Sequence, residues 1–207
     1  MKPRPEVLSA IDTIAVLDRR AKFEDGTAIT VPPFRISREC VTIGLYQVFQ
    51  SATGHITIAE QQDSKNLLDN ELVWHVATEK LTSETAFCLS PRDAIAFCEW
   101  AGVRLPTEAE WLAASIVEYK LYPEDQYDSM IDNGEIDQFY ESPHALAFSP
   151  AAEITADTNS LGQHVIRNDP QICRHENWAE SPALNRHYRS LSDWDLMTAF
   201  RIVCSDE

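Results

Sequence analysis

Apolar positions along this chain follow two different periods, and the change from one to the other marks its elements. Residues 1 to 33 read as a short amphipathic helix followed by a strand, Thr27 to Val31, ended by Pro32 and Pro33. Phe34-Arg35-Ile36-Ser37 alternates as a half-buried strand does. Thr42 can then cap a helix carrying Ile43, Tyr46, Val48 and Phe49, with Gly54 where a glycine usually ends one. Ser90-Pro91-Arg92-Asp93 opens a second helix: serine supplies an acceptor at the cap, and proline takes the first helical position, where its missing N–H costs nothing. That helix runs through Phe97 and Trp100 to Gly102. Thr107-Glu108-Ala109-Glu110 is a capping box leading into Trp111, Leu112, Ser115 and Ile116 at helical spacing. Further on, His164-Val165-Ile166 and Phe200-Arg201-Ile202-Val203 are short apolar runs that predict strands. With no internal repeat, the simplest organisation is one α+β domain over residues 1-207, with 1-33 as an N-terminal extension holding the first strands.

Composition narrows the function. The chain has 207 residues, enough for a sizeable core, and 33 acidic against 17 basic side chains give a net charge of −16. Nucleic acid is excluded as a partner because duplex affinity comes largely from Lys and Arg at phosphates, and anionic membranes are excluded for the same reason. Residues 118-145 form an acidic insertion, with Lys120 the single base between Glu118 and Glu141. It reads as a solvated segment, or as an interaction surface, since Asp132-Asn133-Gly134 lacks the alternating acids of a calcium-binding loop. Asp12 and Thr13 interrupt the apolar run from Val7 to Leu17, so neither a signal sequence nor a spanning helix is expected, and a cytoplasmic location follows. The five cysteines (Cys40, Cys88, Cys98, Cys173 and Cys204) show no C-x-x-C and fit reduced thiols, with Cys98 a packing residue. Only 6 glycines are present, too few for a glycine-rich phosphate loop.

One block is more specific. Asp93-Ala94-Ile95-Ala96-Phe97-Cys98-Glu99-Trp100 followed by Arg104-Leu105-Pro106-Thr107-Glu108-Ala109-Glu110-Trp111 resembles the signature of the formylglycine-generating enzyme, or sulfatase-modifying factor, family. Val41-Thr42 with Tyr46 and Phe49 is similar to that family's V-T-x-x-x-Y-x-x-F helix, and Thr53-Gly54-His55-Ile56-Thr57-Ile58-Ala59-Glu60 to its T-G-Y-x-T-x-A-E segment. The resemblance is good from Phe34 to Ser115 and weak from Ala151 to Cys204. It implies a C-type-lectin-like fold of the sulfatase-modifying-factor type, with helices around a small twisted antiparallel sheet and long irregular loops. The signature residues Arg104, Thr107, Glu108, Glu110 and Trp111 would exist in any well-made strand-to-helix junction, so they speak for fold and leave activity open.

The resemblance implies a copper(I) pair in a C-x₄-C-x₂-R arrangement, because soft thiolates select that ion. Counting back from Ala199-Phe200-Arg201, the family's closing G-F-R, places the two cysteines on Trp178 and Ala183 and the arginine on Arg186. Cys173 lacks a partner four residues away. The segment that helps hold a family calcium becomes Ser149-Pro150-Ala151-Ala152-Glu153-Ile154, keeping only the glutamate, and R-G-G-S-W becomes Arg167-Asn168-Asp169-Pro170-Gln171. Neither copper nor calcium is expected as a cofactor, and no other catalytic motif is present. Trp178, Arg186, His187, Tyr188, Arg189 and Trp194 fall where the family lines its substrate groove. Exposed together they would form a basic, aromatic patch; alternatively Tyr188 and Trp194 fill the core. The expectation is a catalytically silent domain that binds a protein, peptide or small-molecule ligand. The alternative is a copper-dependent oxidase converting a sulfatase cysteine to formylglycine.

Overall fold

The structure, a computed structural model, describes residues 4–17, 19–23, 25–62, 85–115, 151–167 and 186–204. Among these residues, helices α1 (Pro5–Ala10), α2 (Ile43–Thr53), α3 (Ile58–Gln62), α4 (Pro91–Ala101) and α5 (Glu108–Ser115) accompany nine strands. The strands are β1 (Thr13–Val16), β2 (Arg19–Lys22), β3 (Ala28–Val31), β4 (Phe34–Ser37), β5 (Ala152–Thr158), β6 (His164–Arg167), β7 (Arg186–Arg189), β8 (Thr198–Ala199) and β9 (Val203–Cys204). No helix among the described residues is long and apolar enough to cross a membrane.

The helix ends follow from local chemistry. The Thr42 hydroxyl accepts the Leu45 amide at the start of α2, and Gly54 closes it in the left-handed region, at φ 72°, donating to the Gln50 carbonyl. At α4, Ser90 and Asp93 each take the other's backbone amide, and Pro91 occupies the first turn. At α5, the Thr107 hydroxyl accepts the Glu110 amide at 3.1 Å while the Glu110 carboxylate accepts that of Thr107 at 2.8 Å.

Three small sheets form, with orders β1-β4-β9, β2-β3 and β7-β6-β5-β8. Every pairing is antiparallel except β5 with β8. The N-terminal segment holds, besides β3, two strands: β1, paired along β4, and β2, paired with β3. Phe200 to Val203 is not one strand. Phe200, Arg201 and Ile202 lie between β8 and β9 and only Val203 enters β9, while Phe200 and Ile202 accept the amides of Val41 and Ser37.

Helices and sheets enclose two cores. In one, Tyr46, Phe49, Phe97 and Phe200 pack ring against ring with Ile154 and Ile166, the Tyr46 and Phe97 rings stacked at 5.8 Å. Cys98 belongs to this core. In the other, Trp111 and Leu112 of α5 meet Val16, Val31, Phe34, Ile36 and Val203. Val48 does not join the apolar face of α2 and is 47% exposed, because two residues along a helix turn it about 200° from Tyr46. Ile116, the acidic insertion 118-145, Cys173, Trp178 and Ala183 lie outside the described residues.

Candidate binding site

Strand β7 carries four of the six residues expected at the groove and, because successive side chains on a strand point to opposite faces, it divides them. Arg186 and Tyr188 share one face, the guanidinium carbon 5.3 Å from the ring centroid of Tyr188. His187 and Arg189 take the other, less exposed face. Arg189 forms an ion pair with Asp195 in the loop after β7. That loop is shaped by its own carboxylates: Asp193 accepts the Ser190 amide, and Asp195 the Met197 amide and the Thr198 hydroxyl. Trp194 is half-buried and donates its indole N–H to Gln62 of α3 at 3.0 Å. Among the described residues of this set, the strand places Arg186 with Tyr188 on one face and His187 with Arg189 on the other. Tyr188, at 40% exposed, is not a core residue.

The face with Arg186 is organised by Glu108, the first residue of α5. Its carboxylate is buried and takes Arg167 of β6 together with Arg186, whose Nε lies 2.7 Å from Oε1 and Nη2 2.8 Å from Oε2. The helix N-terminus favours a negative charge there, and two guanidinium groups offset the cost of burying it. Arg167 is the cross-strand partner of Glu153. Glu153 accepts the indole N–H of Trp111 at 2.8 Å and the Nε of Arg201 at 2.8 Å. Burial alone would depress the Arg201 pKa, but Glu153, together with Cys40 and Glu39, outweighs it and the guanidinium is held more firmly charged than usual. Charges thus alternate from the surface inward through Arg186, Glu108, Arg167, Glu153 and Arg201.

The signature residues fall into place around this row. Arg104 grips Glu110 with two hydrogen bonds of 2.6 Å, Thr107 caps α5, and Trp111 ties the helix to Glu153. Glu108 alone among them contacts Arg186, while Trp111 meets the row further in, at Glu153. Arg167 and Glu153 are the residues that the sequence reading did not assign to it. A signal for them existed: each is the survivor of a segment otherwise altered from the family pattern, and the two carry opposite charges.

Cys40, Cys88, Cys98 and Cys204 are buried and form no disulfide among the described residues. Burial pushes the Cys88 thiol up to about 11, and burial likewise raises that of Cys98. Among the described residues, no three His, Cys, Asp or Glu side chains are grouped as metal ligands would be.

A match to the Sulfatase-modifying factor enzyme 1-like domain covers residues 14–163, well over half of the chain. The chain belongs to that family. Among solved structures, it is similar to Treponema denticola variable protein 1, at 14% identity and a TM-score of 0.53 over 94% of each chain. It is also similar to CarF, at 13% identity and a TM-score of 0.50 over 95% of this chain and 99% of that one. Such likenesses concern the fold alone. No curated protein matches the sequence. The C-type-lectin-like fold expected from the motifs is the fold found. The sulfatase-modifying-factor match begins within β1 and ends before β6, so it takes in most of the N-terminal segment and leaves out β7 and its loop.

Proposed function

We propose that this chain is a catalytically silent member of the sulfatase-modifying factor family that serves as a binding module for a protein, peptide or small molecule. One observation carries the reading. In the stretch that family resemblance assigns to copper and substrate, an indole and a methyl group, Trp178 and Ala183, replace the thiolates, while Arg186 and Tyr188 present a stacked guanidinium and ring. Copper(I) does not fit that donor set, since neither side chain has a soft ligand atom. Calcium is no better served, because Glu153 is engaged by Arg201 and Trp111. Arginine and tyrosine are the residue types that most often anchor recognition.

The test has two arms. Incubation with copper(I) and a C-x-P-x-R peptide is expected to leave the peptide cysteine unchanged by mass spectrometry; conversion to formylglycine overturns the silent reading in favour of the oxidase. Selection of displayed random peptides on the purified chain is expected to enrich sequences whose binding is lost in Tyr188→Ala. Enrichment indifferent to that substitution would remove the proposed face.

A further inference from the structure

We propose that Arg186 is built to take a ligand carboxylate in a planar, two-point grip; the inference rests on the binding-module reading and names the ligand chemistry for it. A guanidinium has five N–H donors arranged in edges. The edge made by Nε and Nη2 is closed by Glu108, and the flat face lies over Tyr188. The remaining edge, Nη1 with the outer hydrogen of Nη2, meets no acceptor among the described residues, while the Arg186 side chain is 38% exposed. Two contacts therefore fix the group's position and plane, and the edge that matches a carboxylate is left without an acceptor among the described residues.

The charge count favours an anion at this point. The row from Arg186 to Arg201 contains three arginines and two glutamates, one positive charge in excess, and Arg186 is its exposed member. Asp25 and Asp157, the other carboxylates near this corner, are exposed, so water and salt screen them. Because most of the positional entropy of Arg186 is already spent on Glu108 and Tyr188, little more is lost when a carboxylate binds.

The probes are sodium benzoate, its neutral isostere benzamide, and inorganic phosphate, each titrated into the ¹⁵N-labelled full chain while the Arg186 Nε–H and Tyr188 signals are followed. Benzoate is expected to shift both signals saturably, with benzamide about tenfold weaker or worse. Arg186→Lys keeps the charge but loses the fork and is expected to weaken benzoate about tenfold. Should that variant fail to fold, Tyr188→Ala, at an exposed position, decides: weaker benzoate binding supports the grip and unchanged binding overturns it. Absence of any benzoate shift, equal binding of benzamide, or phosphate binding as tightly as benzoate also overturns it. Formylglycine formation would sink the silent reading, whereas loss of the benzoate response would sink only the grip, so the two failures are told apart by different measurements.

Discussion

Glu153 and Arg201, 48 positions apart in sequence, meet at 2.8 Å with both side chains almost wholly buried. The pair fastens β5 to the segment between β8 and β9, and Arg201 continues to the carbonyls of Ser37 and Arg38 beside β4. Glu153→Gln keeps an acceptor for Trp111 but strands the Arg201 charge. We expect it to cost about 3–5 kcal/mol in urea denaturation, the range found when one partner of a buried pair is removed. A loss under about 1 kcal/mol would mean that water reaches the pair.

Asp93 is fully buried and holds three pieces of chain at once. It accepts the Ser90 amide and hydroxyl, the Ile58 amide, and Nε2 of His55 at 2.9 Å. Ser90→Ala removes one cap and is expected to cost about 1 kcal/mol. Asp93→Ala should cost clearly more, since it leaves buried donors on two other segments unpaired. Equal thermal midpoints for the two variants would show that Asp93 acts as a cap alone.

The Cys88 thiol, raised to about 11 by burial, is protonated at neutral pH and should be inert toward iodoacetamide in the folded chain. Between the ordinary thiol value and about 11, the folded chain keeps a proton that the unfolded chain releases. This contribution to stability is therefore complete below the ordinary value and declines as pH rises through that interval. Cys88→Ser, whose hydroxyl does not titrate there, should flatten the alkaline arm of a stability–pH curve.

For Glu110 the sign is opposite. Burial pushes its carboxyl up, but the Arg104 fork and the Thr107 amide together outweigh burial, and the pKa lies below the usual glutamate value. Its contribution is present above the ordinary value and is lost as pH falls through the lowered one. In acid titrations monitored by circular dichroism, Glu110→Gln should therefore be less stable than the parent at neutral pH and converge with it on acidification. Parallel curves would count against the linkage.

The helix boundaries were legible because their determinants are local. Ser90 with Asp93, Thr107 with Glu110, and Gly54 each act within a few residues of the end they define. Strands β1 and β2 were not legible, since four-residue strands gain their identity from partners elsewhere in the chain. The site shows the same division. Its aromatic and arginine residues could be picked out from the family pattern, yet their separation onto two faces requires knowing that residues 186–189 form a strand. Glu108 read as part of a helix start; its partners Arg167 and Arg186 stand 59 and 78 positions away, beyond the reach of any local rule.

The order β1-β4-β9 has a consequence for how the molecule comes into being. Strand β4 pairs early with β1, only a short way back along the chain, but its other edge is completed by β9, far downstream of it in the chain. Until then β4 has one edge without its native neighbour, a ready place for strands of other nascent chains to add. A polypeptide stalled before Val203 would therefore carry all the helices described above yet remain open to aggregation at Ile36.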